Sequence, residues 1–254
     1  MFSSELISAF LTLTFLEIVL GIDNIIFISI LADRFPQKER KKLMRIGLLL
    51  AMITRIALLF GVSLLVKMRQ PFMAFSTSFI SSEISIETLI LFLGGLFLLY
   101  KSTHEIFQKV EVHVSESSSD TTPKKPLRTL NALFQIMLID VVFSFDSILT
   151  AVGMTNGIDF AFGVMVSAIV VSIVLMILFA GTINRFMNEH PSLQVLGLSF
   201  LLLIGFMLVA EAAHQSNTLL LGTSIGTIPK GYLYFAIAFS LGVEMINMRI
   251  KRKN

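Results

Sequence analysis

Cysteine is absent from the 254 residues, and charge is scarce, with Asp, Glu, Lys and Arg together making up 15%. Without cysteine, disulfides, thiolate metal ligation and thiol redox chemistry are excluded. A soluble domain of this length would carry about 25% charged residues. The deficit is uneven, because several runs of about twenty residues hold almost no charge, the length a helix needs to cross a hydrocarbon core. Length alone would allow one or two soluble domains, but these runs leave little outside a bilayer. The net charge of +3 is no nucleic-acid footprint, since the basic residues fall at the ends of the runs. Met1 to Ser8 has no basic segment and carries Glu5, so a cleaved signal peptide is not expected.

What is present is hydrophobic: 55% of the residues, with a mean hydropathy of +0.84. Seven apolar runs are predicted to span the membrane, at 7–31, 46–66, 87–104, 130–153, 160–181, 193–213 and 231–248. The connection after the first run holds Arg34, Lys38, Arg40, Lys41, Lys42 and Arg45. That after the third contributes Lys101, Lys109, Lys124, Lys125 and Arg128, that after the fifth Arg185, and the C-terminal tail Arg249, Lys251, Arg252 and Lys253. Only Lys67, Arg69 and Lys230 fall on the opposite side, and Arg55 lies inside a span. The positive-inside rule then places the N-terminus outside and the C-terminus in the cytoplasm.

Residues 111–129 read as a polar cytoplasmic linker (EVHVSESSSDTTPKKP and its flank), rich in Ser and Thr. It separates a first three-span half, 1–110, from a second, 130–215, leaving 216–254 for a seventh span and a basic tail. The halves echo each other: Glu17-Ile-Val-Leu-Gly-Ile-Asp23-Asn24 matches Asp140-Val-Val-Phe-Ser-Phe-Asp146-Ser147. Gly95 and Gly205 precede His104 and His214 at equal spacing, a weaker echo. Because each half has an odd number of spans, the two would be inverted, an architecture recurrent among secondary transporters. The fold expected is all-α: a polytopic seven-helix membrane bundle, a 3+3 inverted repeat plus one.

The two acid pairs straddle the midplane of spans 1 and 4, and Arg55 sits near the middle of span 2. A charge at that depth costs roughly 2.5–3.5 kcal/mol on insertion scales, an expense that structure alone rarely explains. If the charges served only as salt bridges, Arg55 would neutralise one acid and leave three carboxylates needing protons or a cation. Residues six apart point about 120° away from each other on an unbroken helix. The acids of a pair therefore face different sides of a cavity, or flank a break at Gly21 and Ser144. Asp, Glu, the Asn24 amide and the Ser147 hydroxyl are hard oxygen donors suited to Mg²⁺, Ca²⁺ or Mn²⁺, and a poor match to closed zinc or copper sites. Clustered acids also titrate together, so metal–proton exchange is a hypothesis that pH-indifferent metal flux in vesicles would exclude.

The motifs LEIVLGIDNIIF (Leu16 to Phe27), MLIDVVFSFDSILTAVG (Met137 to Gly153) and PKGYLYFAIAFSLGVEMINM (Pro229 to Met248) resemble those of the TerC family of integral membrane proteins, most closely its YgdQ-type bacterial branch. The resemblance covers nearly all of residues 10–250. It implies a place among the LysE-like transporters, manganese efflux across the bacterial plasma membrane and, for some members, supply of metal to exported enzymes. Carried onto this chain, the motif residues are Glu17, Asp23, Asn24, Asp140, Asp146 and Ser147, with Glu244 and Asn247 in the family's C-terminal pattern as secondary candidates.

The other polar residues have plainer readings. Glu211, His104 and His214 reach the membrane interfaces, and the thirteen methionines are mostly flexible apolar packing. Three functions compete. The first is a divalent-cation transporter exporting Mn²⁺, with Ca²⁺ or Mg²⁺ as the other candidate ions and protons as exchange partners. The second is a non-transporting membrane factor for metallation or assembly of exported proteins. The third is an intramembrane aspartyl protease, for which Gly21-Ile-Asp23 is an incomplete signature and the duplicated acid pair is unexplained. The transporter is the reading adopted: not an enzyme, with no permanently bound cofactor and no nucleic-acid partner. Glu17, Asp23, Asn24, Asp140, Asp146 and Ser147 would hold the cation by alternating access, and Arg55 would balance charge in the empty state.

Overall fold

The computed structural model describes residues 4–77, 80–115, 129–155, 157 and 160–251. All seven apolar runs are helices long and apolar enough to cross a membrane. They are α1 (Ser4–Ala32), α2 (Gln37–Phe60), α4 (Ile86–Ser115), α5 (Thr129–Met154), α6 (Ala161–Glu189), α7 (Pro191–Gln215) and α8 (Lys230–Lys251), with a short α3 (Val62–Met68) following α2. At 1.5 Å per residue the 29 residues of α1 extend about 43 Å, enough for the hydrocarbon core and its margins.

The helices overrun the apolar runs where polar residues favour helix. α2 begins at Gln37 because Lys38, Glu39, Arg40, Lys41 and Lys42 are good helix formers. Arg40 also folds back on the end of α1, donating from Nε to the Phe35 carbonyl (2.9 Å) and from Nη2 to that of Asp33 (3.1 Å). α4 starts at a reciprocal cap: the Thr88 amide donates to Ser85 Oγ at 3.1 Å, and the Ser85 amide donates to Thr88 Oγ1 at 3.0 Å. At its other end α4 runs to Ser115, so 111–115 continue a helix where a linker was expected. The rest of that segment, 116–128, lies outside the described residues.

A small antiparallel sheet joins two of the connections. Strands β1 (Pro71–Ser76), β2 (Ile80–Ser85), β3 (Leu219–Leu220) and β4 (Thr223–Ser224) pair in the order β1-β2-β3-β4. Ile80 stands opposite Leu220 and Ser81 opposite Leu219. The connections between spans 2 and 3 and between spans 6 and 7, assigned to one side of the membrane by charge, thus share one sheet.

The chain folds as two compact units, each drawing helices from both sides of 116–128. One holds α1, α2, α3, α5 and α6 as far as Phe186; the other holds the sheet, α4, α7 and α8. In the first unit α1, α2 and α5 meet at Gly47, where an added β-carbon would lie 3.0 Å from Ile136 and 3.8 Å from Ile28. Contacts of α2 with α5 advance together from Gly47–Ile136 to Arg55–Asp140, so these helices run parallel. α6 runs parallel to α1 by the same test, from Met176 against Gly21 to Asn184, whose Nδ2 donates to the Ser29 carbonyl at 3.5 Å.

In the second unit α4 and α7 are antiparallel, and their backbones touch at the echoed glycines. A β-carbon on Gly95 would lie 2.7 Å from the Gly205 carbonyl oxygen, and one on Gly205 3.0 Å from that of Gly95. Small residues at a membrane helix crossing permit this approach. α8 packs on α7 and leaves Tyr232, Phe235, Phe239 and Ile246 exposed.

Candidate functional site

α1 is helical without interruption through Gly21, and α5 through Ser144, so the break envisaged at those residues does not occur. An unbroken helix brings residues at i, i+4 and i+7 to one face. Glu17, Gly21 and Asn24 therefore share a face of α1, and Asp140, Ser144 and Ser147 share the matching face of α5. Asp23 and Asp146 have their backbones in the same two helices, while their side chains lie outside what the structure describes.

The two faces converge on Arg55 of α2. Its Nη1 donates to Glu17 Oε2, forming an ion pair. Its Nε and Nη2 both donate to Asp140 Oδ1, at 3.1 and 2.9 Å. The same oxygen accepts from Asn24 Nδ2 at 2.8 Å. Burial is nearly complete: Arg55 is 2% exposed, Glu17 5% and Asp140 1%. A guanidinium has five N–H donors in a planar fork, and that of Arg55 spans two carboxylates, one from each helix.

Three features of the cluster bear on its chemistry. Two carboxylates and one guanidinium leave one formal negative charge. Asp140 Oδ2 is buried and has no hydrogen-bond partner among the described residues. Burying such a set does not by itself stabilise a fold, since desolvation offsets the Coulombic gain. The cluster is thus a place where a cation is held between acids from different helices, with one acceptor oxygen left over.

Of the six residues expected to hold metal, Glu17, Asn24 and Asp140 come together around Arg55. Ser147 is buried nearby in sequence but donates to the Ser144 carbonyl at 3.2 Å. Among the described residues no three His, Asp or Glu side chains gather as a metal site. Glu244 and Asn247 belong to the other unit, where Glu244 accepts from Ser192 Oγ at 2.5 Å and from Asn247 Nδ2 at 3.5 Å. His104 is exposed and bonds Gln108 at 2.8 Å, and His214 is exposed and meets the Ile225 carbonyl at 2.9 Å.

Charges at the span ends also make polar contacts that span-end position alone does not announce. Glu87, 2% exposed, accepts from Arg69 Nε at 2.9 Å, and Lys101 pairs with buried Glu105 at 3.0 Å. The i, i+4 spacing of Lys101 and Glu105 is the one sequence signal that could have announced a pair. Lys109 of α4 also donates to Gln194 of α7.

Comparison with known proteins covers the whole length. The profile of the integral membrane protein TerC family matches residues 2–254. The chain is 43% identical over 244 residues to a UPF0053 protein of Haemophilus influenzae, covering 95% of this chain and 92% of that one. It is 40% identical over 243 residues to the UPF0053 inner membrane protein YgdQ of Escherichia coli, covering 96% and 92%. With the E. coli inner membrane protein YoaE it shares 42% identity over 245 residues, and there it spans only 43% of the relative's length. No solved structure matches.

Proposed function

The chain belongs to the TerC family of integral membrane proteins, and from that premise we propose that it carries a divalent metal cation, Mn²⁺ foremost, across the bacterial inner membrane. The observation that supports this most is the buried Glu17–Arg55–Asp140 cluster, with its surplus negative charge and its unpartnered Asp140 Oδ2. A guanidinium held between two acids is an internal stand-in for a cation. An incoming metal would meet Oδ2 first, draw Asp140 and Glu17 away from Arg55, and turn the Asn24 amide oxygen inward. Asp23, Asp146 and Ser147 would then complete an oxygen shell of the kind Mn²⁺, Mg²⁺ and Ca²⁺ accept. On release of the metal Arg55 closes on the acids again, so the empty site is not left bare in the membrane. Protons taken up by the remaining carboxylates would supply exchange.

The packing also favours the inverted repeat that alternating access uses. If α1, α2 and α4 correspond to α5, α6 and α7, then α2 running parallel to α5 corresponds to α6 running parallel to α1, although the first pair packs far more closely than the second. Gly95 meeting Gly205 then joins equivalent residues, as a pseudo-two-fold relation requires.

The test is Mn²⁺ influx into proteoliposomes holding a manganese-quenched dye, for wild type beside Asp140→Asn and Asp146→Asn. Flux by wild type and none by the variants is expected. Equal flux in all three would exclude the shared carboxylate site. Absence of flux in folded wild type for Mn²⁺, Mg²⁺ and Ca²⁺ would turn the reading to a metallation or assembly factor acting with a protein partner.

A further inference from the structure

Met176 lies in the middle of α6, 3% exposed, with its side chain laid against α1. A β-carbon built on Gly21 would fall 2.5 Å from its Sδ and collide with its Cε. Gly21 stands one turn after Glu17 and one turn before Asn24, on their face of the unbroken helix. Those are the two α1 side chains tied to Arg55 and Asp140. The thioether thus reaches the donor-bearing face of α1 from its parallel neighbour, as Arg55 reaches the acid of α5 from α2. Glycine at position 21 is what lets a side chain of this length bring its sulfur so close to the helix axis.

We infer that Met176 is a specificity-determining residue: its sulfur is a soft donor beside the oxygen set, selecting divalent transition metals over Mg²⁺ and Ca²⁺. The inference deepens the transport reading and rests on it. Carboxylate, amide and hydroxyl oxygens serve Mg²⁺, Ca²⁺ and Mn²⁺ alike and offer little discrimination. A polarizable thioether adds affinity for the softer ions and nothing for the alkaline earths. The apolar role of the side chain is kept by leucine, a swap close in volume, so Met176→Leu removes the sulfur with little else.

The experiment measures uptake of Mn²⁺ and Cd²⁺ by proteoliposomes, with Mg²⁺ and Ca²⁺ as competitors, for wild type and Met176→Leu. Calorimetric titration of both purified proteins with Cd²⁺ accompanies it. The variant is expected to bind Cd²⁺ roughly ten-fold more weakly, to lose preference for Cd²⁺ and Mn²⁺, and to keep flux under stronger competition from Ca²⁺ and Mg²⁺. Unchanged selectivity with unchanged Cd²⁺ affinity overturns the inference while leaving transport intact. Equal loss of all ions makes Met176 a packing residue and overturns it too. A wild type that carries no metal refutes transport instead; the Cd²⁺ titration then decides Met176, a ten-fold difference sustaining the soft donor and equality removing it.

Discussion

Arg55, Glu17 and Asp140 are three charges that a bilayer makes expensive, and each keeps its charge tolerable only through the others. Removing the guanidinium alone would strand two buried carboxylates. Arg55→Gln is expected to destabilise the protein by about 3–5 kcal/mol. The triple variant Glu17→Gln, Arg55→Gln, Asp140→Asn should recover most of that loss, because neutral amides need no counter-charge. Thermal unfolding in detergent checks both, and a triple variant as weak as the single one would mean the arginine acts through packing. These residues were legible in the sequence because charges inside apolar runs stand out. That one arginine would serve two acids was not legible. It depends on α2 packing against both α1 and α5, and on separations of 38 and 85 residues that helical periodicity cannot bridge. The face shared by Glu17, Gly21 and Asn24 follows from periodicity alone on an unbroken helix, one of the two arrangements the acid spacing allows.

Among the elements, α4 and α7 are joined most closely, backbone to backbone at Gly95 and Gly205. At Gly95 a methyl group would meet a carbonyl oxygen at 2.7 Å, and the backbone of a packed helix cannot yield cheaply. Gly95→Ala is expected to cost about 1–3 kcal/mol, with Gly205→Ala milder. Gly181→Ala, with nothing within 4 Å of the added carbon, should be close to neutral. Melting of the three variants side by side reads this, and three equal curves would contradict the close crossing. Helix positions were legible because twenty apolar residues admit few other structures. Helix ends were less so, since Lys38 to Lys42 are charged, and Glu111, His113 and Ser115 polar, yet both segments are helical. The sheet was hidden because its strands are two to six residues long and pair segments far apart in sequence.

For the whole molecule, the sheet joins the 2/3 and 6/7 connections, as an alternation of spans requires, while the outer N-terminus and cytoplasmic C-terminus are the expectation of the basic residues alone. The acid echo pointed to spans 1 and 4, where the structure places its buried cluster. In the proposed transport cycle this cluster exchanges an internal cation for a metal. The most direct test of that exchange is the loss of the free Mn²⁺ electron paramagnetic resonance signal on adding purified protein, for wild type beside the variant Glu17→Gln, Asp140→Asn. Exchange predicts saturable binding by wild type and none by the variant, with Arg55→Gln binding Mn²⁺ more tightly than wild type because the competitor is gone. Equal Mn²⁺ binding by wild type and the double variant would contradict it.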